Sequence, residues 1–334
     1  MTAMTGTPRR RPTLKTIAEL SGLAVTTVSR ALGDAPDISA QTKETVRRIA
    51  SEVGYVPDRA GVRLRTGRTN VISLVVPTEE DALNMTPRLI AAVAGGLSGT
   101  PYHLVVVPEM PGQTLMDPVR YVVETRSADA VIINRIQPQD PRVAYMRAQG
   151  FPFVTHGRSD WRDDHAWFDY DNAAFGVIAV QRLVARGRRS LVLIGPPTDQ
   201  SYGRDMLAGV RDQARGQGVT LHVPSGVSSD SPAPQIAASV AATLQSHPET
   251  DAIITASPHG AMAVVGALEA QGRAVGQGID LFAKETFPFL SLFRPGILTA
   301  TEDIRTAGLF LAKAAIHEIT QGGRSHLHHL DTPA

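Results

Sequence analysis

The chain has 334 residues, 43% of them hydrophobic, with 33 Lys and Arg against 32 Asp and Glu and no cysteine. That length and apolar content point to a globular protein of two or three domains. The missing cysteines exclude disulfides and thiolate metal sites and fit a cytoplasmic location. No apolar run approaches the roughly 18 residues of a membrane helix, so no membrane partner is expected. The start, Met1-Thr2-Ala3-Met4-Thr5-Gly6-Thr7-Pro8, lacks the apolar core of a signal peptide. Charge is unevenly spread. Residues 1–68 hold 12 of the 33 basic and six of the 32 acidic residues, a balance of +6 against −5 for the remainder. A basic head on an acidic body suits phosphate binding at one end, with salt-dependent affinity. Arg9-Arg10-Arg11 reads as a solvated arm, with an auxiliary phosphate contact as the alternative.

The first elements lie at residues 14–32. Small Ala18 allows two helices to approach, Gly22 turns the chain four residues later, and Ile17, Leu23, Val28 and Leu32 provide the apolar contacts between them. This is a helix-turn-helix pattern. In such a unit the N-terminal part of the second helix meets base edges. Val25 and Thr26 then fall at specificity positions, with Arg30 one turn later. Val25 can touch only apolar groups such as a thymine methyl, whereas Arg30 can bind guanine in bidentate fashion. Thr27 and Ser29 suit phosphates. Thr13 and Ser39 are placed to cap the first and third helices. Val46, Ile49, Ala50 and Val53 give the third helix its core face, and Gly54 ends it in a left-handed cap. Pro57 forces extended backbone before it, so the trihelical unit spans residues 1–56.

Three stretches carry a family resemblance: Val25-Thr26-Thr27-Val28-Ser29-Arg30-Ala31-Leu32, Val46-Arg47-Arg48-Ile49-Ala50 and Gly54-Tyr55-Val56-Pro57-Asp58-Arg59. Together they resemble the lactose-repressor (LacI/GalR) family of bacterial transcription regulators, specifically over residues 13–77 and more loosely through the rest of the chain. The resemblance implies a homodimer that binds a palindromic DNA operator and answers to a small-molecule effector. Residues 57–69 then resemble the family's hinge helix, which folds when two protomers meet on DNA. Leu64 matches the leucine that wedges into the minor groove, where an apolar side chain unstacks a base step and kinks the duplex. Gly61 stands in place of the usual alanine and weakens that helix by about 1 kcal/mol, so the segment is expected to be less helical without DNA. Thr16, Val25, Thr26, Thr27, Ser29, Arg30, Arg59, Arg63 and Leu64 form the expected DNA-contacting set. Ala24 replaces a frequent serine, and one capping or phosphate-binding hydroxyl is lost with it.

Residues 70–334 alternate strand-like and helical runs. The strand-like runs are Val71–Pro77, Tyr102–Pro108, Ala130–Ile133, Phe153–His156, Ser190–Ile194, Ala252–Thr255 and Ile279–Ala283; helical stretches include Asn172–Ala185 and Ala261–Gln271. Such alternation implies parallel, doubly wound α/β sheets, and the length implies two lobes. The expected fold is therefore an N-terminal three-helix helix-turn-helix domain, a hinge helix, and a two-lobed effector and dimerisation domain like the periplasmic binding proteins. Ligands in these folds sit beyond the carboxyl ends of the strands, which places the effector in the cleft.

The resemblance supplies the cleft residues Asn134, Arg204, Ser257 and Glu285. Asn134 ends a strand-like run, Arg204 lies in Gly203-Arg204-Asp205-Met206-Leu207-Ala208-Gly209, and Glu285 stands where relatives have aspartate. A guanidinium fork and a carboxylate are groups that grip hydroxyls. Capping is the bland alternative for Asn134, and for Asp171-Asn172 before the next helix; a surface ion pair is the alternative for Arg204. Thr255-Ala256-Ser257-Pro258 departs from the usual asparagine–aspartate pair. Lys284 replaces an aromatic, and strand geometry keeps it and Glu285 on opposite faces. The Lys-Glu pair is similar to family members that sense disaccharides such as α-glucosides.

No Gly-x-Gly-x-x-Gly, phosphate loop or nucleophile elbow is present, so no enzyme and no cofactor is expected. His326, His328 and His329 cluster without spaced carboxylates, and no metal is expected there. The expected function is a DNA-binding regulator, a repressor of a carbohydrate-use operon, with a mono- or disaccharide effector. A nucleobase, nucleoside or small acid as corepressor is the alternative, and a solute-binding protein without a regulatory role the remote one. No heptad pattern follows Leu330, so no tetramerising coiled coil is expected.

Overall fold

The computed structural model describes residues 11–56, 61, 63, 66–77 and 85–333. Residues 1–69 and 70–334 form two separate compact units.

The first unit holds α1 (Leu14–Ser21), α2 (Val25–Leu32) and α3 (Ala40–Glu52). Ile17, Val28, Ala31, Val46, Ile49 and Ala50 form its core, with Ala18, Leu23 and Leu32 packed around them. Gly22 turns the chain in the left-handed region at φ +70°, a conformation that glycine adopts without steric cost. Ser39 Oγ accepts the Thr42 N–H at 3.2 Å and caps α3, while the Thr13 N–H donates to Thr16 Oγ1 at 3.1 Å at the start of α1. Asp34, itself at φ 56°, pairs with Lys43 at 3.1 Å and Arg47 at 2.7 Å, tying the α2–α3 turn to α3. Gly61, Arg63 and Thr66 have helical backbone, although the glycine was expected to weaken this helix without DNA. The Gly67 N–H donates to the Arg63 carbonyl at 2.8 Å with Gly67 at φ +70°. That left-handed cap satisfies an end carbonyl and offsets part of the glycine penalty. Arg59 and Leu64 lie outside the described residues.

The second unit runs β1 (Val71–Pro77), α4 (Met85–Gly96), β2 (His103–Glu109), α5 (Met116–Thr125), β3 (Ala130–Ile133), α6 (Pro141–Ala148), β4 (Phe153–His156), β5 (Ala166–Tyr170) and α7 (Asn172–Ala185). It continues through β6 (Ser190–Ile194), α8 (Ser201–Gln217), β7 (Thr220–His222), α9 (Ala233–Ser246), β8 (Ala252–Thr255), α10 (Pro258–Ala270) and β9 (Asp280–Glu285). The last elements are α11 (Leu290–Phe293), β10 (Ile297–Thr301), α12 (Ile304–Gln321) and β11 (His328–Asp331). Two parallel sheets result, in the orders β11-β5-β4-β3-β1-β2 and β10-β9-β8-β6-β7. Each is buried on both faces: Ile72, Leu74 and Ile132 point to one face of the first sheet, Val75, Val131 and Ile133 to the other. Continuous Val and Ile runs are what strands covered on both sides require.

The chain passes from the first sheet to the second after β5 and returns after β10, so each sheet defines a lobe. All seven expected strands are present with small boundary shifts. β9 extends to Glu285, which brings Lys284 and Glu285 into the strand. β5, β7, β10 and β11 were not expected; β7 is three residues long, and β11 reads His-His-Leu-Asp with a single aliphatic side chain. Glycine sets the closest approaches around α8. A Cβ on Gly209 would lie 2.2 Å from the Ala173 carbonyl oxygen of α7, and one on Gly203 would lie 2.1 Å from that of Pro197. Among the described residues no helix is long and apolar enough to cross a membrane.

Candidate DNA-reading helix and effector cleft

Helix α2 buries Val28 and Ala31 and leaves Val25, Thr26 and Arg30 exposed, with Ser29 half-buried between them. Positions i, i+1, i+4 and i+5 share one helical face, so these four side chains form the open surface opposite the core. Thr27 lies at its flank and is half-buried, as is Thr16 on α1. Ala24 occupies the N-cap without a side-chain hydrogen bond, so the first-turn N–H groups of α2 have no capping side chain. Such groups attract phosphate. The Arg30 guanidinium pairs with Asp37 at 2.5 Å, both more than half exposed. The hydrogen bond from Arg30 holds the Asp37 carboxyl below its ordinary value. An exposed pair of this kind is worth little, so the Arg30 guanidinium can leave it at small cost.

In the body, the carboxyl ends of both sheets face a cleft between the lobes. A cavity of about 400 Å³ there is lined by residues that include Glu109, Gln113, Arg135, Gln137, Asp199 and Gln200. Arg135 lies in the left-handed region at φ 53°, a strained setting for a side chain with a Cβ. The neighbouring backbone is held by Arg142, which is fully buried. Its guanidinium donates to the carbonyls of Asn134 and Arg135 at 3.0 Å each and to Asp140 at 2.8 Å, and lies 3.3 Å from Glu109. Asp140 also caps α6 through the Arg142 N–H at 2.9 Å.

Ion pairs join the two lobes across the cleft. Arg135 meets Asp230 at 3.1 Å, Arg204 meets Asp160 at 3.3 Å, and Arg158 reaches Asp205 at 3.5 Å while holding Asp169 at 2.6 Å. Burial pushes the Asp169 carboxyl up to about 6 against the opposing pull of Arg158. The Ser201 N–H donates to the Ile136 carbonyl at 2.8 Å. Beside it, the Gln200 Oε1 and Ser201 Oγ are closed off without a hydrogen-bond partner, which is the state of groups that a polar ligand could complete.

The four sequence-derived cleft residues take different places. Asn134 is buried at the end of β3. Arg204 is half exposed at the cleft's lip, bonded to Asp160 and Asp205. Ser257 caps α10 by accepting the Gly260 N–H at 3.0 Å and donates to the Ser229 carbonyl. Glu285 is buried, and one oxygen accepts the Phe289 and Leu290 N–H groups at 3.0 and 2.9 Å. That oxygen organises the turn into α11. None of the four is among the residues lining the 400 Å³ cavity. Asp171 caps α7 by accepting the Ala174 N–H at 2.9 Å.

Lys284 points to where the chain passes between lobes. Its ammonium lies 2.5 Å from Glu302, 3.0 Å from Asn172 Oδ1 and 4.2 Å from the centre of the Tyr170 ring. The other Glu302 oxygen is 3.1 Å from His156 Nε2. Burial alone would raise the Glu302 carboxyl, but Lys284 and His156 outweigh it and hold it at about 2. The histidines near the C-terminus have ring and ion-pair partners. His328 stacks on Trp167 and His329 on Phe168, while His326 pairs with Glu318.

A helix-turn-helix head followed by a two-lobed body of parallel sheets with a cleft between its lobes defines a DNA-binding regulator with a separate α/β body. Residues 13–58 match the family described as bacterial regulatory proteins, lacI family. Residues 71–322 match the periplasmic binding proteins and sugar binding domain of LacI family. The chain belongs to the LacI family of DNA-binding transcription regulators. It is 30% identical to the HTH-type transcriptional regulator AglR of Rhizobium meliloti (strain 1021), over 93% of this chain and 88% of that protein. With CelR of Thermobifida fusca it shares 27% identity over 93% of each. The match to RafR of Escherichia coli is 36% identical but spans 57% of this chain and 56% of that one. Among solved structures, the lac repressor dimer bound to operator and the anti-inducer ONPF superposes with a TM-score of 0.78 at 21% identity, covering 97% of both chains. The CelR–cellobiose complex superposes at 0.68 with 23% identity, covering 97% of this chain and 98% of that one. These curated relatives are all named as HTH-type transcriptional regulators.

The Lys284–Glu302 pair makes a testable demand. Lys284→Met leaves Glu302 with a buried, half-compensated charge and should cost about 3–5 kcal/mol in urea unfolding. Glu302 is held at about 2 against an ordinary 4.5, so its contribution is complete above that ordinary value. It is lost as pH falls toward the folded one. The acid limb of the stability profile should therefore be shallower in Lys284→Met than in the native chain; superimposable acid limbs would refute the pairing.

Proposed function

We propose that the protein is a repressor of carbohydrate-use genes, bound as a homodimer to a palindromic operator, its affinity set by a mono- or disaccharide in the interlobe cleft. The carrying observation is the cavity at the strand ends, where Glu109, Arg135, Gln137 and Gln200 present carboxylate, guanidinium and amide groups beside the apolar surfaces of Pro77, Met110 and Leu115. Such groups pair with hydroxyls, and a cavity of about 400 Å³ lies within the size range of small-molecule sites. The partly exposed lip pairs Arg135–Asp230 and Arg204–Asp160 can break and re-form as the lobes move. The names of relatives point the same way: one structural neighbour is a CelR–cellobiose complex, and a curated relative is the maltose regulon regulatory protein MalI of Escherichia coli. A cytoplasmic location goes with this role.

In this reading Val25, Thr26 and Arg30 meet base edges, Thr16, Thr27 and Ser29 hold the backbone, and Arg59 and Arg63 flank the Leu64 wedge. Asn134 and Arg204 border the ligand site. Ser257 and Glu285 shape its far wall through the helix starts they cap, and Arg135 and Gln200 join the binding set. A ligand shifts the two lobe arrangements only by its differential affinity for them, so either release or tightening of the operator complex is consistent with the geometry.

Arg30→Ala should weaken binding to a selected operator by about 1–3 kcal/mol and relax preference at one base pair in each half-site. Binding-site selection with the variant reads this directly; an unchanged selected sequence would remove Arg30 from base readout. For the cleft, a thermal-shift screen of cellobiose, maltose, monosaccharides, nucleosides and small acids should return a sugar. In calorimetry with that sugar, Arg135→Ala should lose about 1.5–3 kcal/mol of affinity, and Arg204→Ala, at the lip rather than in the lining, a smaller amount. A nucleoside or acid as the sole hit, or native affinity in both variants, would overturn the assignment.

A further inference from the structure

Away from the reading helix and the cleft, a trio of side chains on the second lobe has the geometry of a ligand set. His222 ends the edge strand β7, His247 follows α9, and Glu249 lies in the connection to β8. Glu249 Oε1 is 3.6 Å from His222 Nε2 and 3.5 Å from His247 Nδ1, and all three ligand atoms lie within 4.8 Å of one another. Around a tetrahedral zinc ion with ordinary nitrogen and oxygen distances, neighbouring ligand atoms stand roughly 3.3–3.6 Å apart. Two of the three separations already meet that spacing.

The burial pattern adds a second argument. The His222 Nε2 is closed to solvent and has no hydrogen-bond partner, an unsatisfied nitrogen of the kind folded proteins rarely keep. The imidazoles of His222 and His247 stack with centroids 3.8 Å apart and 25° between planes. Stacked rings hold their in-plane lone pairs nearly parallel, so the more exposed His247 must turn out of the stack to aim Nδ1 at an ion shared with His222. His222 is 18% exposed, against 40% for His247 and 57% for Glu249. One ligand is therefore fixed from below, and the two outer ones are free to turn their lone pairs toward it.

We propose that His222, His247 and Glu249 form a surface binding site for a divalent transition-metal ion such as Zn²⁺, with water completing the shell. Imidazole and carboxylate ligands suit zinc and its neighbours rather than calcium or magnesium. The ion ties edge strand β7 to the α9–β8 connection and stabilises the folded body by mass action. The site is separate from the effector cleft, and its loading does not depend on which sugar the protein senses.

The full-length protein titrated with Zn²⁺ in a calorimeter should take up a single ion per chain at this site, and its thermal midpoint should rise with metal concentration. Co²⁺ as a spectroscopic probe should give visible d–d bands of tetrahedral intensity. His247→Gln and Glu249→Gln, both at the surface and outside the core, should abolish the bands and the thermal shift. His326→Gln should retain both, which separates this trio from the histidines near the C-terminus. Absence of the bands in the native chain, or their persistence in His247→Gln and Glu249→Gln, would overturn the assignment.

Discussion

A single buried carboxylate ties the two lobes of the body together where the chain crosses between them. Glu302 follows the last strand of the second sheet, at the point where the chain returns to the first. One oxygen is 3.1 Å from His156, at the end of a first-lobe strand, and the other is 2.5 Å from Lys284, on a second-lobe strand. A charge so deeply buried is tolerated only with close partners, and here each lobe supplies one. Lys284 in turn reaches Asn172 and the Tyr170 ring on the other crossing segment. Both passages of chain between the lobes are thereby fastened to the same ammonium group. The lips of the cleft, in contrast, are closed by more exposed pairs such as Arg204 with Asp160. Strong pairing at the hinge and weak pairing at the lips is the combination a body needs if its lobes are to rock about a fixed line.

The ligand side of the cleft depends on a similar economy. Arg142 gives up all contact with water to hold two successive carbonyls, Asp140 and Glu109. In doing so it steadies Arg135 in the left-handed region and aims its side chain toward Asp230. An unpaired guanidinium in that position would be costly to bury. The strained backbone at Arg135 is therefore maintained by charge satisfaction behind it, which keeps its guanidinium in place for the ligand proposed above.

Much of this was legible in the sequence, because it depends on local spacing. The small residue at Ala18, the left-handed turn at Gly22 and the apolar positions of α1 and α2 specify the helix pair whatever follows them. The Val and Ile runs from Val71 onward likewise announce strands covered on both faces. The weaker strands were illegible for the opposite reason. β11 pairs with β5 in the fold, where Trp167 and Phe168 offer rings on which His328 and His329 stack, a partnership no local pattern announces. In the cleft, the family resemblance singled out Asn134 and Arg204, but neither lines the cavity, because a residue's type and position do not give what its neighbours demand. Glu285 reads as a ligand for hydroxyls, yet one of its oxygens is taken by two backbone N–H groups of the following turn. Arg142 has no motif at all; only the carbonyls brought to it by the fold give it a role.

The account rests on coupling between the cleft and the operator, and linkage makes that coupling measurable from either side. The sugar found by screening should be titrated into the full-length protein free and saturated with operator DNA, and operator affinity measured with and without that sugar. The account predicts that both affinities change by the same factor, about 5–150-fold, since coupling free energy is reciprocal. Sugar affinity that is identical in the free and operator-bound protein would contradict it.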